Sequence, residues 1–293
     1  MSTTSPQREM AAAVAAPLSW QQEQIWVHGQ WAGAAALYQE AITLRRQSGF
    51  QAGPLQAMLA GWMARHAILR TAFTVVAGAP EQRVAAAPPA LVLAVGDAAS
   101  EAEARAWAAA DAGAPMDLAR SPLVRARWAR WPEGQALYLT LHHLIFDGAT
   151  LRQRWLPEWA ALYAAAEAGT PLPAPASAPA YAEFARWQRA GGDRATAERT
   201  AEHRDFWRRH FAGEWPRLDL GGDAAAPPFA ALAQSFALPA ELWAGLAPAA
   251  SAAQATPFMV LLAAFAALLH RLGGQPAVVV GLPAAARGHR QWG

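Results

Sequence analysis

The chain has 293 residues, of which 54% are hydrophobic and 16% charged, with a formal net charge of +2 and no cysteine. That balance supports a sizeable buried core and excludes disulfides, thiolate nucleophiles and most structural zinc sites. Every one of the 24 basic residues is Arg, but they are dispersed, so runs such as Arg204, Arg208 and Arg209 read as a solvated helix face and not as a nucleic-acid track.

In chain order, the first 16 residues hold only a short Ala/Val run beside Arg8 and Glu9, too weak for the apolar region of a signal peptide. Ser19 with Gln22 has the form of a capping box, predicting a helix that starts there with Ile25 and Trp26 inward. A strand is expected around Tyr38 to Arg46. A helix follows from Pro54 to His66, with Leu55, Leu59 and Trp62 at helical spacing. The β-branched and aromatic run Thr71 to Val76 predicts a strand. A helix from Ser100 to Ala112 comes next, then strands Leu123 to Trp131 and Gln135 to His143, joined by the turn-like Pro132-Glu133-Gly134. Ala149 to Ala166 carries Leu151, Trp155, Trp159 and Leu162 on one side of a helix.

The Pro/Ala-rich stretch 171–180 is the clearest linker, dividing residues 1–170 from 181–293. Beyond it, Ala182 to Arg189 and Ala195 to Phe211 read as helices and Gln234 to Leu238 as a strand. Thr256 as cap, Pro257 at the first helical position and Gly273-Gly274 at the end bracket an apolar helix. Its apolar stretch, Pro257 to Leu269, has 13 residues, too few to cross a bilayer core of about 30 Å. Ala277 to Leu282 is expected to be a buried strand. The mixed order gives an α/β or α+β fold of two lobes. A soluble, cytoplasmic protein with no membrane partner is expected.

The chemistry concentrates in Leu141-His142-His143-Leu144-Ile145-Phe146-Asp147-Gly148-Ala149-Thr150. A strand running in from Leu137 sets Leu137, Leu139, Leu141 and His143 on one face and Tyr138, Thr140 and His142 on the other. His143 therefore stands at the strand's end on an apolar face, where a partly desolvated, neutral imidazole accepts a proton. Asp147 and Gly148 fall at the turn into the next helix. Gly148 would permit close backbone approach, and its N–H would face developing negative charge. The plainer alternative is a pair of satisfied histidines followed by an Asp cap. Adjacent strand residues point oppositely, so His142 and His143 do not easily share a metal, and none is expected. There is no Gly-x-Ser-x-Gly elbow, and a Walker lysine is impossible without Lys.

His-His-x-x-x-Asp-Gly at a strand-to-helix junction resembles the signature of condensation domains of nonribosomal peptide synthetases, within the chloramphenicol acetyltransferase-like superfamily. Other motifs occur in the family's order. Leu18-Ser19-Trp20-Gln21-Gln22-Glu23-Gln24-Ile25-Trp26 resembles the first motif, though Ala is usual at 21 and Arg at 24. Arg65-His66-Ala67-Ile68-Leu69-Arg70-Thr71-Ala72-Phe73 resembles the second, with Ala67 where Glu is usual. Met116-Asp117-Leu118 with Pro122-Leu123-Val124-Arg125 is similar to the stretch before the signature strand. Tyr181-Ala182-Glu183-Phe184-Ala185-Arg186-Trp187 resembles the motif after the linker. Phe258 to Leu262 and Val278 to Arg287 are similar to the family's helix and strand toward its bridging region.

The resemblance implies two chloramphenicol acetyltransferase-like lobes in a V, with a tunnel admitting phosphopantetheine arms from donor and acceptor carrier proteins. The second lobe would be incomplete, since family members continue well past Arg287. The implied activity is an acyltransferase joining a carrier-bound acyl or peptidyl thioester to a carrier-bound aminoacyl acceptor, as amide or ester, in antibiotic-type secondary metabolism. His143 would act on the acceptor amine as general base or as a positioning group. The Gly148 backbone would be the second catalytic group, while His142 is structural and Asp147 holds the loop by an ion pair with Arg287 or Arg65. No cofactor belongs to the chain itself. Adenylation or ketosynthase modules would supply activated substrates, and Ile145-Phe146 with the 38–46 segment resemble mixed polyketide–peptide lines, implying an acyl donor. Two alternatives remain: an inactive truncated remnant that binds carrier proteins, and a stand-alone acyltransferase using soluble thioesters.

Overall fold

The computed structural model describes residues 14–31, 36–175, 179–221 and 234–282. They form two compact units, the second beginning at Glu198. In the first, the elements are β1 (Val14–Pro17), α1 (Trp20–Gly29), β2 (Gln39–Leu44), α2 (Ala52–Arg65), β3 (Thr71–Val76), β4 (Ala79–Val84), β5 (Leu93–Asp97), α3 (Glu101–Gly113), β6 (Val124–Trp131), β7 (Gly134–His142), a π-helical turn Thr150–Trp155, α4 (Leu156–Glu167) and α5 (Tyr181–Arg189). Helix α6 (Arg194–His210) leads into the second unit, which adds α7 (Ala240–Ala252) and α8 (Pro257–Gly273).

The expected capping box is present: Ser19 Oγ accepts from the Gln22 N–H at 3.1 Å and Gln22 Oε1 accepts from the Ser19 N–H at 3.1 Å. Two of the orphan amides at the start of α1 are thereby satisfied. Ser100 likewise caps α3. The helix expected from Ala149 opens as a π-turn, and Pro157 then sits in the first turn of α4. A proline has no N–H to return to the carbonyl one turn back, so a regular α-ladder cannot run through this point.

Two sheets result. One has order β1-β4-β3 and is antiparallel; the other has order β2-β7-β6-β5, with only β5 parallel to its neighbour. Strand β7 is flanked on both sides and both faces are covered, which is why it reads as a nearly unbroken apolar run. Leu137, Leu139 and Leu141 enter the main core with Leu59 and Trp62 of α2 and Trp159 and Leu162 of α4. Ala136 and Tyr138 enter a smaller core with Ala104 and Ala108 of α3. Trp62 meets Trp155 and Trp159 edge-to-face at centroid distances of 4.9 and 5.0 Å, the arrangement that ring quadrupoles favour.

Helix α5 follows the linker in sequence yet packs on β1 and α1 of the first unit. Ser19 Oγ meets the Tyr181 hydroxyl at 2.9 Å, and the Arg189 guanidinium donates to the Leu18 carbonyl at 2.6 Å. In the second unit Thr256 caps α8 and Gly274 ends it at φ +64°, a left-handed conformation suited to glycine. Residues 234–238 and 277–282, expected as strands, are irregular. Strand pairing needs a partner to satisfy its ladder, and neither segment pairs with a strand among the described residues. No single helix among the described residues is long and apolar enough to cross a membrane.

Candidate active site

Strand β7 delivers the His-His pair to the end of the second sheet. Its last ladder residue is His142; His143 already belongs to the turn, one residue earlier than the sequence pattern implied. The register explains how the turn is held. The His143 N–H donates to the Tyr38 carbonyl just before β2 at 2.8 Å, and the Ile145 N–H donates to the His142 carbonyl at 3.0 Å. From α1, the Gln22 side-chain amide donates to the Leu144 carbonyl at 3.1 Å. The capping residue of the first motif thus also anchors the signature loop.

The two histidines have different surroundings. His142 is 4% exposed, and its Nδ1 accepts from the Leu144 N–H at 3.2 Å. Burial in an apolar setting, reinforced by the neighbouring His143, depresses its pKa from 6.5 to about 4. It is a neutral acceptor with a fixed Nδ1 role. Partial desolvation is expected from sequence at the second histidine; the strong desolvation falls on the first, because the sheet covers His142 while the chain turns outward at His143. The His143 side chain keeps 35% of its surface exposed.

The His143 ring is clamped on one face. It stacks on Phe146 with centroids 4.7 Å apart and planes at 14°, and Phe146 stacks on the buried Trp155 at 5.8 Å. On its Nε2 side lies Glu40 of β2, whose Oε2 is 3.0 Å away. This is a close contact, not an aligned hydrogen bond of the kind His66 Nε2 makes with Glu158 at 2.5 Å.

Asp147 Oδ1 accepts from the Thr150 N–H at 2.7 Å, and the Asp147 carbonyl accepts from the Leu151 N–H at 3.0 Å. Asp147 therefore closes the turn into the π-helical segment, as a capping carboxylate does. Gly148 has no left-handed φ; a Cβ there would touch the Arg152 guanidinium at 3.4 Å. Conformation does not demand glycine, whereas keeping that space clear for close backbone approach would.

The arginine expected to serve Asp147 from the second motif has another partner. Arg65, with a side chain 10% exposed, pairs with Glu158 of α4 at 3.4 Å and donates to the Pro173 carbonyl. Position 65 is the last residue of α2, which packs along α4, so its reach is to that helix. Arg287 lies outside the described residues. The structure thus brings His142, His143, Asp147 and Gly148 into one turn and sets Arg65 in a neighbouring network. Sequence reading missed Glu40, Phe146 and the anchoring role of Gln22. One signal for Glu40 was present: with Ile42 and Leu44 it forms the inward row of β2, an acid at the end of an apolar row.

Comparison with known proteins gives one answer. The condensation-domain family model matches residues 13–292. The chain is 36% identical over 283 residues to phosphinothricin tripeptide synthetase PhsC of Streptomyces viridochromogenes, covering 92% of the chain and 25% of that protein. It is 32% identical over 286 residues to malpibaldin synthetase of Mortierella alpina, covering 94% of the chain and 5% of that protein. Among solved structures, the first condensation domain of the calcium-dependent antibiotic synthetase superposes with a TM-score of 0.74 at 25% identity, over 90% of this chain and 63% of that one. SgcC5 of Streptomyces globisporus gives 0.72 at 27% identity, over 94% and 64%. The chain spans a quarter or less of the two synthetases and under two thirds of the two solved structures.

Proposed function

The chain belongs to the condensation-domain family, with its mixed α/β, chloramphenicol acetyltransferase-like fold, and from that premise we propose that it joins two carrier-bound substrates in nonribosomal peptide assembly. The donor would be an acyl or peptidyl thioester and the acceptor a carrier-bound aminoacyl group. Condensation domains form amide bonds between substrates held on the phosphopantetheine of partner carrier proteins, and the synthetase relatives imply adenylation modules in the same assembly line. The donor's chain type, inferred as acyl from Ile145-Phe146 and the 38–46 segment, is part of the same reading. Competition between acyl and aminoacyl donor carriers tests it, and an aminoacyl preference would overturn it.

The observation that carries the proposal is His143 at the outward end of a buried strand. Its ring is held between Phe146 and Glu40, with its side chain still accessible. In this reading His143 accepts the proton of the attacking acceptor or fixes its nucleophile. Proton transfer by a positioned side chain contributes roughly 10²–10⁴-fold. His142, neutral and buried, keeps the turn in place, as do Asp147 and Gln22. The Gly148 N–H, at the helix start, is offered to the oxyanion that forms when the thioester carbonyl is attacked.

The experiment is intact-protein mass spectrometry of the purified chain with an acyl-loaded donor carrier and an aminoacyl-loaded acceptor carrier. Transfer is expected, with His143→Ala lowering it by about 10²-fold or more while remaining folded. A folded chain that binds both carriers and transfers nothing would replace this proposal with the carrier-binding remnant.

A further inference from the structure

The register of the second sheet brings two apolar rows to a common end. On β7 the row is Leu137, Leu139 and Leu141, continued by His143; on β2 it is Leu44 and Ile42, continued by Glu40. Leu44 pairs with Leu137, Ile42 with Leu139 and Glu40 with Leu141. Side chains of directly paired residues share a face, so both rows leave the core at the same edge and each ends in an ionisable group. Ile42 and Leu44 stay partly buried on that row, whereas Glu40 at its end reaches solvent.

Its partner is unusual for this chain. In the other ion pairs among the described residues of the first unit each carboxylate has an arginine: Glu23 with Arg189, Asp97 with Arg130, Glu101 with Arg45 and Arg105, Asp111 with Arg127, Glu167 with Arg46, Glu81 with Arg83, and Glu158 with Arg65 as well as with His66. Among the described residues Glu40 has only His143. The contact is 3.0 Å without hydrogen-bond alignment, so the oxygen flanks Nε2 without taking the axis of that nitrogen. The Glu40 side chain is 47% exposed. Charged and titratable groups at this end of the sheet include His142, neutral, Asp147, engaged with the Thr150 N–H, and Tyr38, whose carbonyl accepts from the His143 N–H and whose hydroxyl meets His28 Nδ1 at 2.8 Å. A small cation placed at the carboxylate would therefore also touch Nε2.

We propose that Glu40 is a specificity-determining residue of the acceptor subsite, the counter-ion that receives the acceptor's ammonium beside His143 and so selects an amine over a hydroxyl. The inference rests on the functional reading above and narrows its product to an amide. An α-amino group is largely protonated near neutral pH, and only its neutral form attacks. In this arrangement R–NH3⁺ docks on Glu40 and gives one proton to His143 Nε2. The amine then forms the C–N bond at the donor carbonyl and the C–S bond breaks. The thiolate takes the proton held by His143, and the second amine proton leaves to solvent. The balance is R–NH3⁺ plus thioester giving amide, thiol and H⁺. A hydroxyl acceptor carries no charge, so it can only donate a hydrogen bond to the carboxylate and gains less from it than an ammonium does.

The test uses the full chain and its Glu40→Gln and Glu40→Asp variants, with two readouts. The first is binding, by calorimetry or NMR, of an aminoacyl-pantetheine and of its isosteric α-hydroxyacyl counterpart. Wild type should prefer the amine by about tenfold. Glu40→Gln should erase that preference without weakening the hydroxy analogue, and Glu40→Asp should restore part of it. The second is transfer to carriers loaded with the same two groups, where KM for the amine acceptor should rise in Glu40→Gln while the hydroxyl acceptor is unchanged. Equal loss toward both acceptors, or an undiminished amine preference, overturns the role of Glu40. Amine-selective binding in a wild type that transfers nothing leaves Glu40 as the ammonium site and removes only the catalytic reading.

Discussion

In the first unit Trp62, Leu139 and Trp155 are at most 1% exposed, while in the second Trp243, Phe258, Phe265 and Leu272 range from 48 to 64%. Both regions are rich in apolar residues, and both contain well-formed helices. Helix α8 formed from signals within itself, Thr256 and Pro257 at its start and Gly274 at its end, whereas α7 has no side-chain cap, carries Pro248 inside it and gave no sequence signal. Segments 234–238 and 277–282 carry strand-like sequence without forming strands. The contrast shows that a helix closes its own hydrogen bonds, whereas a strand and a core depend on what lies opposite.

The comparison is broken most directly by paired truncations. Leu139→Ala removes a side chain wholly enclosed between sheet and helices and should cost about 3–5 kcal/mol, read as a lower denaturation midpoint. Leu272→Ala, in an exposed position, should stay within about 0.5 kcal/mol. Comparable losses would mean that the second unit's apolar face is packed in solution.

A sharper probe uses the buried base beside the site. His142 is held down to about 4 from an ordinary 6.5. Between those values the unfolded chain binds a proton that the folded chain refuses, so folding stability rises with pH there. Acidification through pH 6.5 toward pH 4 should therefore destabilise the first unit, by an amount on the order of 3 kcal/mol. His142→Gln, which removes the titrating group, should flatten that limb of the stability profile. An unchanged slope would place the acid sensitivity elsewhere.

What could be read from sequence follows the same division. Ser19 with Gln22, Ser100, Pro132-Glu133-Gly134 and Thr256-Pro257 are local signals, and the elements they announce are present within a residue or two. Strands β1, β4 and β5 gave no signal: Val14–Pro17 has only four residues, and β4 carries Pro80, Glu81, Gln82 and Arg83 at its centre and forms because β1 and β3 flank it. At the site, spacing alone located His142, His143, Asp147 and Gly148 in one turn. It could not place Glu40, more than a hundred residues earlier, beside His143, because only the β2–β7 register does that. Nor could it tell that α4 would engage Arg65 through Glu158.

The smallest effect separates two caps of similar sequence form. Ser19 Oγ accepts the Gln22 N–H, Gln22 answers with its side chain, and the same hydroxyl meets Tyr181 of α5, all within buried or part-buried surroundings. Thr256 Oγ1 accepts the Met259 N–H at 3.2 Å in an exposed position, at the head of a helix with little packed against it. Ser19→Ala should therefore lose more than the cap, about 1–2 kcal/mol, and lower the global midpoint. Thr256→Ala should cost nearer 0.5 kcal/mol, the low end seen where water can replace the cap. The loss should show as faster hydrogen exchange in the first turn of α8, with no shift of the first unit's transition. If Thr256→Ala moved that transition, the two units would be folding as one, and the contrast between a packed unit and self-sufficient helices would fail at its most local point.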